Sequence, residues 1–356
     1  MTSAVLHERR LGSLRWITAS GESGAVFRAL GHRVRHEIAE ILDRYPERTF
    51  LQDYAITSEG ARVIRGIVSA TKGHCQAEWE ELVSMADGAS VPINDLLLFN
   101  LRGDLGPTTT GCTDLAWCAE RSLLAHNEDG LPMFDGRCVL LTLAIDDEVP
   151  ITAYWYPGLL PSNALVIYGT SLVWSMDHLG VAVPAIAPGR HFTARKAQRA
   201  PTVEAAIAVF KEVSSAGGFA YTIGQVASKA IVSFEVAAGH VSQVALAGDK
   251  HQLMWHANNM RYLGHVSETA DLESLARSSR LAVLADELVS ADCFSLLDLL
   301  TQPSDWPGLY RSAIPPDPLM TLCSMACDLG SGTITVIPRG GKPVTLSLKA
   351  LGEVPR

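Results

Sequence analysis

The sequence predicts an α+β protein whose sheets are covered by helices, on three observations. The first hundred or so residues space their apolar side chains every three to four positions. From Cys112 the pattern changes to short β runs, and helical stretches return between the later strands. At 356 residues the chain can bury a large core as one big domain or two ordinary ones. With 47% hydrophobic and 19% charged residues it is globular and not disordered. A net charge of −9 and the lack of any Lys/Arg-rich run argue against nucleic acid or an anionic membrane as partner.

Residues 23–45 place Val26, Leu30, Val34, Ile38 and Ile41/Leu42 on one stripe, which predicts a single amphipathic helix. Helices over about 59–86 and 93–103 follow, with Gly88 suited to stop the first and Pro92 to start the second. Residues 106–110, Gly-Pro-Thr-Thr-Thr, read as a polar loop. Runs 112–118 and 122–126 flank a polar turn and predict a hairpin. Strands at 139–145, 151–156, 164–168, 172–175 and 181–183 continue the style. Helices return at 191–198 and 203–213, the second opened by Thr202. Strands at 221–223, 229–236 and 241–246, helices at 279–288 and 295–300, and strands at 319–326 and 333–337 complete the pattern. The organisation is therefore a mainly helical segment, 1–111, and a β-rich segment, 112–356.

No apolar run approaches the roughly 20 residues of a spanning helix. Arg9, Arg10 and Arg15 stand near the N-terminus without the apolar core of a signal peptide. The seven cysteines show no paired spacing, so free thiols in a reducing cytoplasm are expected.

Thr110-Gly111-Cys112-Thr113 carries the chemistry. If the Gly111–Cys112 bond breaks, Cys112 gains an α-amine beside its own thiol. An α-amine titrates at about 7.7–8.0, so it can serve as a general base at neutral pH with no separate histidine. The thiol can itself cut that bond by attacking the Gly111 carbonyl. A glycine there admits the backbone geometry such attack needs. The bland alternative is one more buried thiol in a strand.

The surroundings favour the first reading, because they resemble the penicillin acyltransferase (isopenicillin N acyltransferase-like) family of N-terminal-nucleophile (Ntn) hydrolases. The likeness runs in order through Trp79-Glu80-Glu81-Leu82, Ala86-Asp87-Gly88-Ala89, Val91-Pro92, Asp95-Leu96-Leu97 and Asn100-Leu101-Arg102. It continues through Gly111-Cys112-Thr113, Asn127-x-Asp129, Leu179-Gly180-Val181-Ala182-Val183 and Phe234-Glu235. His256-x-Asn258, Ser278-Ser279-Arg280 and Thr321-Leu322-Cys323-Ser324-Met325 complete it.

The resemblance implies a four-layer αββα sandwich, the Ntn-hydrolase fold, formed by both segments together as α and β chains cut from one precursor. It implies cleavage between Gly111 and Cys112 and action on a small-molecule amide or acyl donor, with no cofactor. Cys112 is then nucleophile and, through its amine, base. Asp129 matches the carboxylate near the nucleophile, and Arg280 an arginine near the active site. Where the family's central strand usually runs into an oxyanion-binding Asn, this chain has Pro184-Ala185-Ile186, so Asn258 or a backbone N–H is the expected substitute. His126 stands where relatives have Gln or Arg. His126, Asn127, Trp117 and Trp174 are candidate substrate contacts, the tryptophans being core residues by default.

Four readings follow: an amidohydrolase, an acyltransferase passing its acyl group to an amine, an unprocessed binding module, and a papain-like protease pairing Cys112 with a histidine. The last lacks the local signature around its cysteine. Assembly as a homo-oligomer is compatible with all of them. His32-x-x-x-His36 has helical ligand spacing, but no third ligand is evident, so no metal is expected.

Overall fold

The computed structural model describes residues 4–106, 111–228, 230–246 and 252–353. Of the polar loop, residues 107–110 lie outside this set, and so does Lys229 of the predicted 229–236 strand.

The chain opens not with helix but with a hairpin, β1 (Val5–Leu11) and β2 (Leu14–Gly21). Six helices follow: α1 (Ser23–Arg33), α2 (Arg35–Arg44), α3 (Arg48–Ile56), α4 (Ser58–His74), α5 (Gln76–Ala89) and α6 (Ile93–Asn100). The helix predicted over 23–45 is thus two, broken at Val34, whose φ of −113° and ψ of 24° leave the helical range. The stripe of apolar residues persists across the break because both halves pack on the same core. The helix predicted over 59–86 is likewise split, at Cys75. Gly88 lies inside α5, where any Cβ would strike the Arg28 carbonyl at 1.9 Å, and the left-handed cap is Ser90. Close approach of α1 and α5, not helix termination, requires that glycine.

The β-rich part runs β3 (Gly111–Cys118), β4 (Ser122–Gly130), β5 (Val139–Ile145), β6 (Ile151–Trp155), β7 (Val166–Tyr168) and β8 (Leu172–Leu179). Then come α7 (Arg190–Ala197), α8 (Val203–Glu212), β9 (Gly218–Gln225), β10 (Ile231–Ala237), β11 (His240–Val241), β12 (Val244–Leu246) and β13 (Gln252–His256). Helices α9 (Leu272–Glu287) and α10 (Cys293–Thr301), strands β14 (Met320–Asp328), β15 (Thr333–Pro338) and β16 (Val344–Ser347), and α11 (Leu348–Gly352) complete it. The predicted strand over 181–183 is only an isolated bridge, Val181 to Glu268, since β8 ends at Leu179. Helix α9 starts seven residues ahead of the predicted 279, which turns a different arginine inward.

These strands form two sheets. One has the order β1-β2-β5-β6-β7-β8-β9-β10-β11, with β12 also on β10. The other has the order β13-β3-β4-β14-β15-β16. Within the first, β2 pairs parallel with β5, so a strand from before Cys112 is hydrogen-bonded to one from after it. The sheets pack face to face where β3 and β4 meet β8 and β9. Helices α1 and α8 cover the outer face of the first sheet, at β2 and β9, with α5 and α7 packed on them. Helices α9 and α10 cover the other sheet at β13, β4 and β14. The molecule is an αββα sandwich. Among the described residues no helix is long and apolar enough to cross a membrane.

Candidate active site

Strand alternation sorts the residues around Cys112 onto two faces. Leu115, Trp117, Leu123 and Ala125 point toward α9 and α10, in a core with Leu281 and Leu297. The opposite parity, Cys112 and Asp114 on β3 with His126 and Glu128 on β4, meets the other sheet. Cys112 is buried at 6% exposure, with Sγ 3.7 Å from Glu128 Oε2. His126 lies between two carboxylates, Nδ1 2.6 Å from Asp114 Oδ1 and Nε2 3.0 Å from Glu128 Oε2. The other oxygens are also engaged: Ser175 donates to Asp114 Oδ2 at 2.8 Å, and the Tyr156 hydroxyl donates to Glu128 Oε1.

This packing of charge perturbs the thiol, the imidazole and a neighbouring carboxyl. Burial, then the Glu128 charge, pushes the Cys112 thiol well above its ordinary range. Burial opposes charging His126, but Asp114 and its hydrogen bonds outweigh that and raise the imidazole well above its usual value. Asp177, whose carboxylate oxygens have no hydrogen-bond partner among the described residues, is raised well above the carboxylate range by burial and by the Asp114 charge. The thiol, the imidazole and the two carboxylates of Asp114 and Glu128 thus form one buried, hydrogen-bonded cluster.

The backbone of Cys112 is held differently. Strand β13 pairs with β3 only as far as His256 opposite Asp114. Beyond that point side chains replace the ladder: the Cys112 N–H donates to Asn258 Oδ1 at 2.9 Å, and Arg277 Nη1 donates to the Cys112 carbonyl at 2.6 Å and to Thr113 Oγ1 at 2.8 Å. Arg277 Nη2 also reaches Asn258 Oδ1 at 2.8 Å, and Asn258 Nδ2 donates to the His178 carbonyl at 3.1 Å. Glu273 pairs with Arg277 and, at 3.2 Å, with Arg311 Nη1. A Cβ on Gly111 would lie 2.4 Å from Arg311 Nη1, so any larger residue ahead of the nucleophile would have to push that guanidinium aside.

Asp129 stands opposite both Gly111 and Thr321 in the ladder and takes a 2.7 Å bond from the Thr321 hydroxyl. Burial raises it to about 7, against the opposing charges of Arg311 and Arg277. A small cavity of about 30 Å³ opens on the Cys112 side chain, and a larger cleft of about 720 Å³ reaches Asn258, His178 and Arg311 from outside.

Of the predicted site residues, the fold brings Cys112, Asn258 and His126 together, whereas Asp129 has the parity of Asn127 and points to the other face of β4, toward Thr321, Arg311 and Arg277. His126 serves there as the centre of a buried ion network, not as an open substrate contact. Four expectations are corrected. Arg280 is exposed and donates to Ser304, while Arg277, one turn earlier, holds the nucleophile. Asn127 is on the face opposite the thiol, its amide spent on the Leu300 and Leu309 carbonyls and its oxygen on Ser324. Trp117 has the same parity and packs beneath α9 and α10. Trp174 is fully buried against Tyr221 and lines neither cavity. Sequence reasoning missed Glu128, Asp114 and Tyr156. For the first two the signal was present, since they share the parity of His126.

No protein-family model matches the chain, and no curated protein is significantly similar to it. Solved structures similar to the chain include two variants of conjugated bile acid hydrolase from Clostridium perfringens. The first has 11% identity and a TM-score of 0.44, covering 68% of this chain and 94% of that one. The second has 11% identity and a TM-score of 0.38, covering 69% and 88%. At these values neither assigns a substrate or a family.

Proposed function

We propose that the protein is a self-processing cysteine amidohydrolase of the N-terminal-nucleophile kind, as the resemblance to penicillin acyltransferases implies. The observation that carries this reading is the hold on the Cys112 backbone by Asn258 and Arg277. An ordinary strand residue has no use for a buried amide and guanidinium on its own N–H and C=O. A residue whose nitrogen must become a free, oriented amine does.

In processing, the thiol adds to the Gly111 carbonyl, the C–N bond breaks, and the nitrogen leaves as the Cys112 amine. Glu128 or His126 relays the thiol proton. Water then cleaves the Gly111 thioester, leaving a carboxylate on Gly111 and a free thiol. In turnover the amine takes the thiol proton, and Sγ attacks the acyl carbon of a small-molecule amide to give a thioester that water resolves. The positive charge of Arg277 disfavours the ammonium form and so keeps the amine neutral, free to take the thiol proton, near neutral pH. An amine held in the outer cleft in place of water would turn the same thioester into acyl transfer.

The test is the intact mass of purified protein. Chains of 111 and 245 residues are expected, and Cys112→Ala should remain whole. A wild-type protein that stays uncut, or whose second chain begins elsewhere, overturns the reading and leaves either a binding module or a hydrolase that needs no cut.

A second reading is favoured by one observation, the Asp114–His126 pair aimed at the region of the thiol. It is a cysteine hydrolase with a histidine base and no need for a free amine. Its activity would survive in uncut protein and vanish in His126→Gln.

A further inference from the structure

The small cavity beside the thiol has chemistry that processing and amide cleavage leave unused. Two buried arginines line it, Arg102 and Arg190. Elsewhere a buried arginine has a carboxylate: Arg195 has Glu81, Arg277 has Glu273 and Arg311 has Asp317. Among the described residues neither Arg102 nor Arg190 makes an ion pair. The Arg102 guanidinium makes no hydrogen bond there either and lies over the rings of Phe99, Phe134 and Tyr156, at 4.9, 5.4 and 6.0 Å. Arg190 is fixed by the Arg102 and Gly218 carbonyls, both at 3.0 Å, and by His178. Both Nε atoms are buried without a partner, as is Asn163 Oδ1 on the same cavity. Arg190 feels the buried Asp104 carboxyl, which binds its backbone N–H and not its guanidinium. Arg102 has no carboxylate in ion-pair range among the described residues. The carboxylates on the cavity, Glu128 and Asp129, are already bonded to His126 and Tyr156 and to Thr321, and buried charge so poorly matched is costly.

We propose that this cavity receives a carboxylate carried by the acyl part of the substrate, so that the protein prefers amides of short dicarboxylic acids. The inference rests on Cys112 being the acylated nucleophile. The thiol faces this cavity, so the acyl group enters it, whereas the Cys112 nitrogen faces Asn258 and the outer cleft, where the amine would leave. A space of about 30 Å³ admits roughly two or three heavy atoms, the size of the carboxylate group itself, with the short chain that carries it reaching back to Cys112. Arg102 gives the ligand charge and an unpartnered Nε–H, and Arg190 adds fixed positive charge behind it.

The test uses full-length wild-type protein. N-succinyl p-nitroanilide is compared with its methyl ester, and succinate with succinamide by calorimetry. The expected result is a kcat/KM at least tenfold higher for the acid, and heat from succinate alone. Arg102→Gln should abolish both preferences and Arg102→Lys retain part of them. Should Arg102→Gln fail to fold, the wild-type acid-to-ester ratio and the calorimetry still decide. Succinate binding without cleavage of any amide would uphold the anion pocket and defeat the hydrolase. Cleavage of the ester at an equal or better rate, with no heat from succinate, would overturn the anion pocket and leave the hydrolase standing.

Discussion

Which arginine serves Cys112 is decided by where α9 begins. Arg277 is buried against the Cys112 carbonyl, and Arg280 is in solvent. Arg277→Met should therefore lower processing and turnover by about a hundredfold, the scale of a misplaced reacting group, while Arg280→Ala should stay near wild type. Rates for the two variants, measured by mass and by amide cleavage, check this, and equal losses would remove Arg277 from the site. A protein lengthened by one residue ahead of Cys112, and unable to cut there, keeps the thiol and His126 but moves the amine away. It should be inactive; full activity would make His126 the base. Cys112 was legible in the sequence because Gly-Cys at a loop-to-strand junction is a local pattern. Trp117 and Asn127 were misread for a countable reason: each is an odd number of positions from Cys112 or His126 and so points to the other face. Arg277 was missed although Asp271 at the N-cap and Glu273 in the first turn are start signals in the sequence, because a helix begun at Ser279, seven residues too late, leaves it outside.

Between elements, the contact most exposed to test joins α5 to α7. Arg195 donates to both oxygens of Glu81 at 3.0 Å, and both side chains are fully buried. Arg199 binds Glu81 as well and reaches Glu148 at 3.0 Å. Removing one partner strands a charge in the core, so Glu81→Ala should cost about 3–5 kcal/mol in denaturant unfolding, and Glu81→Leu with Arg195→Met should recover much of it. The sequence reading found most helices and strands within a few residues but not this pair, nor the opening hairpin. Strand β2 is interior to its sheet and buried on both faces, so its apolar residues do not alternate. Helix breaks at Val34 and Cys75 were hidden because the apolar stripe continues across them.

Across the whole molecule, buried carboxylates set the response to pH. Burial raises Asp104 to about 7, against the Arg190 charge and two backbone N–H bonds. A carboxyl whose folded value exceeds its unfolded value of about 3.9 is favoured protonated in the fold. Its contribution is intact below about pH 4 and is lost as pH rises to about 7. Wild type and Asp104→Asn should be similarly stable near pH 4, with the variant the more stable by up to about 4 kcal/mol at pH 8. Urea unfolding at the two pH values measures this. A constant difference would show that Asp104 is ionised throughout.

The parallel pairing of β2 with β5 changes the order of a reaction once the chain is divided ahead of Cys112. An undivided molecule refolds by a first-order search, indifferent to dilution. A divided one, having once lost its sheet, must find its other half in solution, so its refolding becomes bimolecular and its melting temperature climbs with protein concentration. The native pair meets no such penalty at birth, because its halves were never apart. Dilution-dependent melting in the wild type, and its absence in Cys112→Ala, would reveal a heterodimer that can be lost by unfolding but was never formed by encounter.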